Sequence, residues 1–286
     1  MRDSSADGLL LVDKPAGITS HAVAERTRQV LGTRRIGHAG TLDPFATGLL
    51  ILLVGRATRL VAFLDIEPKV YRATIRFGAR TTTDDLEGEV IAQAPPPRQE
   101  VVERAMGTLT GHLLQRPPAF SAKRVAGVRA YAAARRGEPL QLEPAAVTVH
   151  EWKVLKRDGA DLHVEVHCNG GTYVRALARD LGEATGSAAH LTALRRLRSG
   201  RFHVDDAKTM DAIMQGEFEI LPPMIAVEHM PRQALDDLDV RRVTHGQNVT
   251  ARALGELAAL FHEEELIAVA VREGETWRPK VVMRDA

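Results

Sequence analysis

The sequence is poor in cysteine and in aromatic residues: of 286 residues, one is a cysteine, Cys168, and 4% are aromatic. A single cysteine excludes a disulfide within the chain and a zinc site built from several thiolates. No apolar run approaches the roughly 20 residues of a membrane-spanning helix, and the N-terminal region lacks the apolar core of a signal peptide. The sequence therefore predicts a cytoplasmic protein without a membrane segment.

Lysine is also scarce, and the charges are distributed unevenly. Of the 38 basic residues, 31 are arginine, which suits bidentate phosphate contacts but equally fits the codon usage of a GC-rich genome. Residues 202–286 hold 9 basic against 16 acidic residues, whereas residues 1–201 hold 29 against 21. The acidic surplus near the C-terminus argues against strong phosphate contacts there.

Several common signatures of catalysis are missing. The sequence contains no Walker A motif, no Gly-x-Gly-x-x-Gly that opens a helix, no His-Glu-x-x-His and no Gly-x-Ser-x-Gly. His163 and His167 share one face of a predicted strand while Cys168 lies on the other, which disfavours a metal site. We therefore expect no metal and no cofactor, and a reaction with carboxylate nucleophilic catalysis is the economical option.

One carboxylate stands apart from the others. Asp43 lies in a run rich in glycine, residues 37–48, and Pro44 restricts it to extended or turn conformations. The nearest acidic residues along the chain are Glu25 and Asp65. A metal site or an acid/base pair would need further carboxylates, which could come only from distant sequence.

Hydrophobic patterns predict an α+β fold with a mixed, largely antiparallel sheet. The predicted strands are 8–12, 48–54, 70–77, 89–91, 152–155, 162–166, 266–271 and 276–283. The predicted helices are 20–31, with Ser20 as N-cap and Gly32 as the stop, 56–64, 99–109 and 172–183. Pro222, Pro223 and Pro231 mark a boundary between residues 1–228 and a small β-rich domain, residues 229–286.

Two clusters of basic residues could contact nucleic acid. Residues 115–137 contain no acidic residue and place Phe120 and Tyr131 among six basic residues, so this stretch could follow a phosphate backbone and stack on bases. A solvated loop and surface helix would have the same composition. A second cluster, Arg195, Arg196, Arg198 and Arg201, favours the nucleic-acid interpretation.

A glycine pair precedes the predicted helix at residue 172. Gly170 and Gly171 permit a close approach of the backbone, and Tyr173 and Arg175 then project from the first helical turn. Arg175 could pair with a carboxylate on another loop, or it could be a surface arginine. The pair Asp84-Asp85 is predicted to be solvated.

Taken in order, five motifs closely resemble the bacterial TruB family of tRNA pseudouridine-55 synthases. The resemblance covers about residues 8–201. The motifs are Asp13-Lys14-Pro15-x-Gly17, Gly37-His38-Ala39-Gly40-Thr41-Leu42-Asp43-Pro44-x-Ala46-Thr47-Gly48, Tyr71, Gly171-Thr172-Tyr173-x-Arg175 and Leu194-Arg195-Arg196.

This resemblance implies a pseudouridine-synthase fold with flanking helices and a cleft, and a substrate uridine in the T-loop of tRNA. It implies that Asp43 is the nucleophile, that Tyr71 stacks on the target base and that Arg175 pairs with the Asp43 carboxylate. The further substrate contacts that it implies are Tyr173 lining the pocket, the Leu194 backbone at the uracil edge, and His38 holding the displaced nucleotide.

The resemblance also assigns partners. Residues 115–137 correspond to an insertion that grips RNA, with backbone contacts from Lys123, Arg124 and Arg129, and the region from 229 resembles a PUA-type domain. We expect a monomer that binds the T-arm of tRNA. Two alternatives stay open: a non-catalytic RNA-binding or RNA-folding protein of this fold, and a synthase that depends on a guide RNA. The second is disfavoured because the chain has its own basic insertion and no long terminal extensions.

Overall fold

A computed structural model describes residues 7–285 except 122, 126, 127 and 139, and it gives only the backbone of residues 124, 125, 128, 129, 132 and 135. The strands, in chain order, are β1 Gly8–Lys14, β2 Ile36–Ala39, β3 Thr47–Val54, β4 Lys69–Phe77, β5 Ala79–Thr81, β6 Val90–Gln93, β7 Gly111–Gln115, β8 Arg124–Val125, β9 Val128–Arg129, β10 Ala145–Asp158, β11 Asp161–Cys168, β12 Ala189–Ser199, β13 Phe202–His203, β14 Lys208–Thr209, β15 Arg232–Ala234, β16 Val249–Thr250, β17 Leu257–His262, β18 Glu265–Glu273 and β19 Thr276–Val282.

Among the described residues, helices are fewer than strands. The α-helices are α1 Ser20–Leu31, α2 Gln99–Thr108, α3 Ala130–Arg135, α4 Val174–Ala184, α5 Met210–Met214 and α6 Asp237–Thr244. The 3₁₀ helices are Gly55–Phe63, Val204–Asp206 and Pro223–Val227. Within the described ranges, no helix combines the length and the apolar character needed to span a membrane.

The chain divides into two units. Unit 1 consists of Met1–Asp43, Leu50–Asp65 and Asp206–Ala286, and unit 2 consists of Pro44–Leu49 and Ile66–Asp205. The division passes through β3, because its first three residues belong to unit 2 and the others to unit 1.

The N-terminal part of unit 1 is a sheet covered by helices. Its strands have the order β14-β1-β3, with β2 antiparallel to β3. Apolar side chains of α1, α5 and these strands form one core. α1 ends as predicted, because Gly32 adopts a left-handed conformation with φ of 64°, which residues with a Cβ seldom adopt.

The N-cap of α1 differs from the prediction. Thr19, rather than Ser20, is the cap, and its side-chain oxygen accepts a hydrogen bond from the Ala22 backbone N–H at 3.0 Å. Both residue types are good caps, but Ser20 is buried and its hydroxyl is bonded elsewhere.

The helix predicted over 56–64 is a 3₁₀ helix, Gly55–Phe63. The Thr58 hydroxyl donates a hydrogen bond to the Gly55 carbonyl oxygen at 2.8 Å. This oxygen would be the acceptor of the first bond of an α-helix, so the side chain competes with α-helical pairing at this end.

The C-terminal residues of unit 1 form a separate five-stranded sheet with the order β15-β17-β18-β19-β16. Trp277 is buried in its core and donates its indole N–H to the Gln233 side-chain oxygen at 2.8 Å. β18 and β19 correspond to the strands predicted over 266–271 and 276–283. A β-rich region at the C-terminus is therefore confirmed.

Unit 2 is built on a larger, mainly antiparallel sheet. From the first residues of β3 its order is β3-β12-β4-β11-β10-β7, and β13 pairs with β12. β12 runs parallel to β3, whereas the other pairings of this sheet described along the unit are antiparallel. In β4, Tyr71 and Ala73 are buried while Arg72 is exposed. The strand predicted over 70–77 and the predicted mixed sheet are confirmed.

Candidate functional site

Asp43 is the last residue of the first segment of unit 1, and a side chain from α1 holds the residue before it. The Ser20 hydroxyl accepts a hydrogen bond from the Leu42 N–H at 2.9 Å and donates one to the Leu42 carbonyl oxygen at 3.1 Å. Ser20 is 1% exposed, so water competes little for these bonds. The backbone leading to the half-buried Asp43 is thereby fixed to α1. His38 lies in β2, opposite Leu52.

The loop ends at Gly48, where the backbones of β3 and β12 approach closely. Gly48 has φ of +99°, and a Cβ at this position would lie 2.8 Å from the Arg196 backbone nitrogen and closer still to its oxygen. Only glycine fits both the conformation and the space. This close approach explains one glycine of the motif in terms of packing.

We expect Gly48→Ala to lower the free energy of unfolding by at least about 2 kcal/mol, because it combines backbone strain with a clash against β12. The matched control is Gly107→Ala in α2, where a Cβ would meet nothing within 4 Å; there we expect a gain of about 0.5–1 kcal/mol. Urea denaturation of both variants measures the difference. Equal stabilities of the two variants would contradict the close approach.

Tyr71 lies opposite Arg196 where β4 pairs with β12. Both side chains are buried, and the Arg196 Nε donates a hydrogen bond to the Leu49 carbonyl oxygen at 2.7 Å. Burial raises the pKa of the Tyr71 phenol, although the neighbouring Arg196 guanidinium opposes this shift. The phenol therefore stays protonated at neutral pH and offers a neutral ring with a polar end.

The prediction that Arg196 belongs to a basic surface is wrong. Arg196 is 1% exposed, so its guanidinium is not available to a phosphate backbone, unlike the partly exposed Arg195 and Arg198 beside it. Strand alternation explains the difference, because Arg196 points to the buried face of β12 together with Leu194.

Arg175 lies in the first turn of α4 and is 4% exposed, so the alternative of a surface arginine is wrong. Its guanidinium donates hydrogen bonds to the carbonyl oxygens of Thr83 and Phe120, each at 2.9 Å. It also lies 3.5 Å from the Asp85 carboxylate. These contacts fix the plane of the guanidinium, which only a fork of donors can achieve.

Asp84 and Asp85 are not solvated, contrary to the prediction, but are 4% and 3% exposed. Asp84 lies 3.2 Å from Arg179, which follows Arg175 by one helical turn. Arg179 also donates to the Arg116 carbonyl oxygen at 2.8 Å. Arg175 and Arg179 are four residues apart and therefore share a face of α4, and buried arginines require acidic partners.

The buried pair of Asp84 and Arg179 and the more exposed pair of Asp161 and Arg76 predict opposite pH dependences of stability. Burial raises the pKa of Asp84 above 3.8, although Arg179 and Arg80 oppose the shift. The stability that Asp84 contributes is therefore present at low pH and is lost as the pH rises through its folded pKa. A hydrogen bond from Arg76 lowers the pKa of Asp161 below 3.8, so its contribution is present at higher pH and is lost as the pH falls.

We therefore expect Asp84→Asn to lose more free energy of unfolding than wild type on acidification from about pH 7 to about pH 4. Asp161→Asn should lose less than wild type on acidification below about pH 4, the range in which its lowered pKa acts. Urea denaturation across the pH range measures both slopes. Parallel curves for wild type and either variant would contradict the corresponding assignment.

The other predicted residues lie in several elements. The Leu194 carbonyl oxygen accepts a hydrogen bond from the Thr47 hydroxyl at 3.5 Å. Lys123 is half-buried, and the side chains of Arg124 and Arg129 lie outside the described residues. Tyr71, Tyr173, Arg175 and Leu194 belong to unit 2 and Asp43 to unit 1, and the pairing of Asp43 with Arg175 stays a prediction.

Among the side chains that the structure describes, no three His, Cys, Asp or Glu residues are grouped as metal ligands. The buried Asp84 and Asp85 instead face arginines. These two carboxylates therefore pair with arginine side chains of the protein.

Two family models match the sequence. One is described as TruB family pseudouridylate synthase (N terminal domain) and matches residues 28–174. The other is described as tRNA pseudouridylate synthase B C-terminal domain and matches residues 175–219.

Curated relatives match over nearly the whole chain. Identity to tRNA pseudouridine synthase B of Thermobifida fusca is 45%, with 97% of this chain and 98% of that protein covered. Identity to the protein of the same name from Nocardia farcinica is 46%, with coverage of 97% and 93%.

Solved structures share the fold. A crystal structure of a Cbf5-Nop10-Gar1 complex matches with a TM-score of 0.72 and 26% identity, covering 97% of this chain and 85% of that chain. An H/ACA RNP bound to a substrate RNA containing 2'-deoxyuridine matches with a TM-score of 0.73 and 24% identity, with coverage of 97% and 85%. The predicted fold class is therefore confirmed.

Proposed function

Because the chain belongs to the TruB family of pseudouridylate synthases, we propose that it isomerises uridine to pseudouridine at position 55 in the T-loop of tRNA. The observation that carries this proposal is the match to tRNA pseudouridine synthases over nearly the full length of the chain. In this proposal the protein is a cytoplasmic monomer that acts on the T-arm of tRNA.

The reaction needs no net oxidation and no group that leaves the site. The N1–C1′ bond of uridine breaks, a C5–C1′ bond forms, C5 loses its proton and N1 gains one. Asp43 is the nucleophile, because one ionised carboxylate can trap the sugar at C1′ or add to C6 of the ring. Neither a cofactor nor a metal is required by this balance of atoms and electrons.

Arg175 pairs with the Asp43 carboxylate and directs it in this proposal. Support comes from the way in which Arg175 itself is held by Asp85 and two carbonyl oxygens. A fixed guanidinium stabilises developing charge without reorganising during the reaction. Asp85 is thus a positioning residue for the arginine.

The target base leaves its stack before it reacts, which costs about a few kcal/mol. Stacking on Tyr71 recovers about 1–3 kcal/mol of this free energy. Tyr173 lines the same pocket, the Leu194 backbone binds the uracil edge, and His38 holds the displaced nucleotide.

The insertion at 115–137 grips the RNA backbone through Lys123, Arg124 and Arg129. Its first residues are tied to α4, because the carbonyl oxygens of Arg116 and Phe120 accept hydrogen bonds from Arg179 and Arg175. The catalytic domain spans residues 1–228, and a PUA-like domain spans 229–286. The five-stranded sheet with its own core supports this second domain.

Tritium release tests the proposed function directly. A T-arm hairpin that carries C5-tritiated uridine at the target position should lose tritium to water, because C5 loses its hydrogen when it forms the bond to C1′ of the sugar. A hairpin with C5-tritiated cytidine at that position should not. Release from neither hairpin, or from both, would contradict the proposed reaction.

The non-catalytic alternative makes a different prediction in the same assay. A protein that only binds or folds RNA would bind the uridine hairpin without releasing tritium. A synthase that depends on a guide RNA would release tritium only after that RNA was added. Release by the purified chain alone separates the proposal from both alternatives.

A further inference from the structure

Gln115, the last residue of β7, clamps the backbone of Tyr173. Its side-chain oxygen accepts a hydrogen bond from the Tyr173 N–H at 2.8 Å, and its side-chain nitrogen donates one to the Tyr173 carbonyl oxygen at 3.1 Å. Gln115 is 2% exposed. One buried amide therefore satisfies both backbone groups of a single residue.

The position explains why this side chain is a glutamine. Tyr173 is the N-cap of α4 and provides no side-chain cap, so the N–H groups there need partners from elsewhere. A glutamine amide offers a donor and an acceptor at once, in the manner of a neighbouring strand. Glutamate would lack the donor, and methionine would lack both, so the Tyr173 N–H would lose its bond to this side chain and the carbonyl oxygen would keep only its helical bond from the Leu177 N–H.

The preceding loop depends on such anchors because it contains two consecutive glycines. Gly171 has φ of 82°, and glycine allows the backbone more conformations than other residues. The Glu67 carboxylate accepts a hydrogen bond from the Gly170 N–H at 2.6 Å. Glu67 and Gln115 thus hold the loop at two points, and the second point adjoins the helical turn that carries Arg175.

We propose that Gln115 is a positioning residue, which places the Tyr173 ring and the Arg175 guanidinium for the isomerisation. This inference rests on the proposed function. Gln115 contacts backbone alone among the bonds described for it, so it acts through the two residues that it places. Catalytic rates are sensitive to shifts of about 1 Å in such residues, whereas RNA affinity is distributed over many contacts.

The first test is Gln115→Met in single-turnover tritium release with the uridine hairpin. We expect the rate constant at saturating enzyme to fall by about 10–100-fold, and the Kd for tRNA to stay within about twofold, since phosphate contacts dominate affinity. Gln115→Glu keeps the acceptor for the Tyr173 N–H and should also be slower than wild type. The matched control is Gln93→Met on β6, where the side chain is exposed, and it should react at the wild-type rate.

A double-mutant cycle distinguishes positioning from a general loss of structure. If Gln115 acts by placing Tyr173, then Gln115→Met should have a much smaller effect in a Tyr173→Ala background than in wild type. Thermal melting of each variant identifies unfolded protein. Gln115→Glu provides the same comparison if Gln115→Met does not fold.

The outcomes separate the inference from the function on which it rests. An inactive wild type would overturn the proposed function and this inference with it. If the wild type is active and Gln115→Met reacts at the same rate, the inference alone is overturned. Fully additive effects with Tyr173→Ala, or a weaker Kd with an unchanged rate constant, would also overturn it.

Discussion

Asp43→Asn should abolish tritium release while leaving the Kd for tRNA within about threefold of wild type, because an amide of nearly the same shape is not nucleophilic. We expect the single-turnover rate constant to fall by at least about 10⁴-fold, the scale on which loss of an essential catalytic group acts. Filter binding of labelled tRNA measures the affinity in parallel. The contrast between the two measurements identifies the carboxylate as a reacting group.

Asp206→Asn is the matched control. This aspartate is exposed in the 3₁₀ helix Val204–Asp206, and the same chemical change there should leave rate and affinity at wild-type values. Normal turnover by Asp43→Asn would show that another group attacks the substrate. Loss of tRNA binding by this variant would indicate damage to the loop between Gly37 and Gly48.

Arg175→Lys has the second largest expected effect. Lysine keeps the positive charge but cannot present the planar fork that serves Thr83, Phe120 and Asp85 together. We expect the single-turnover rate constant to fall by about 10²-fold or more, because misplaced charge stabilises the transition state poorly. The Kd for tRNA should change by less than about threefold.

Arg104→Lys on α2 is the control for charge-conserving replacement, since Arg104 is exposed. It should match wild type in rate and affinity. If Arg175→Lys reacted as fast as this control, then charge alone would suffice at position 175, and the geometry of the guanidinium would have no role. Asp85 would then have no positioning function either.

Local patterns in the sequence predicted several of the elements but not β2, β7 or β12. The alternation in β4, the left-handed Gly32 after α1 and the hairpin of β18 and β19 each depend on residues close together along the chain. The family also followed from short motifs, and the match over nearly the full chain confirms it. Backbone propensity and periodicity act over a few residues, so a single sequence reveals them.

The residues that support the site could not be identified in this way. Asp84 is 95 residues from its partner Arg179, and Gln115 is 58 residues from Tyr173. An acidic pair in a polar segment is usually solvated, and only its distant arginines make burial favourable. The prediction that Arg196 contacts nucleic acid was wrong for a related reason. Its position on the buried face of β12 became clear only from the pairing of β12 with β4.

The two hydrogen bonds between Ser20 and Leu42 restrain the backbone next to Asp43. A loop joined to the rest of the protein only at its ends fluctuates widely on the nanosecond timescale. Here the residue before Asp43 is joined sideways to the first turn of α1. The two bonds therefore restrict the backbone motion of the residue before Asp43, and most of the remaining freedom of the carboxylate lies in its side-chain rotamers.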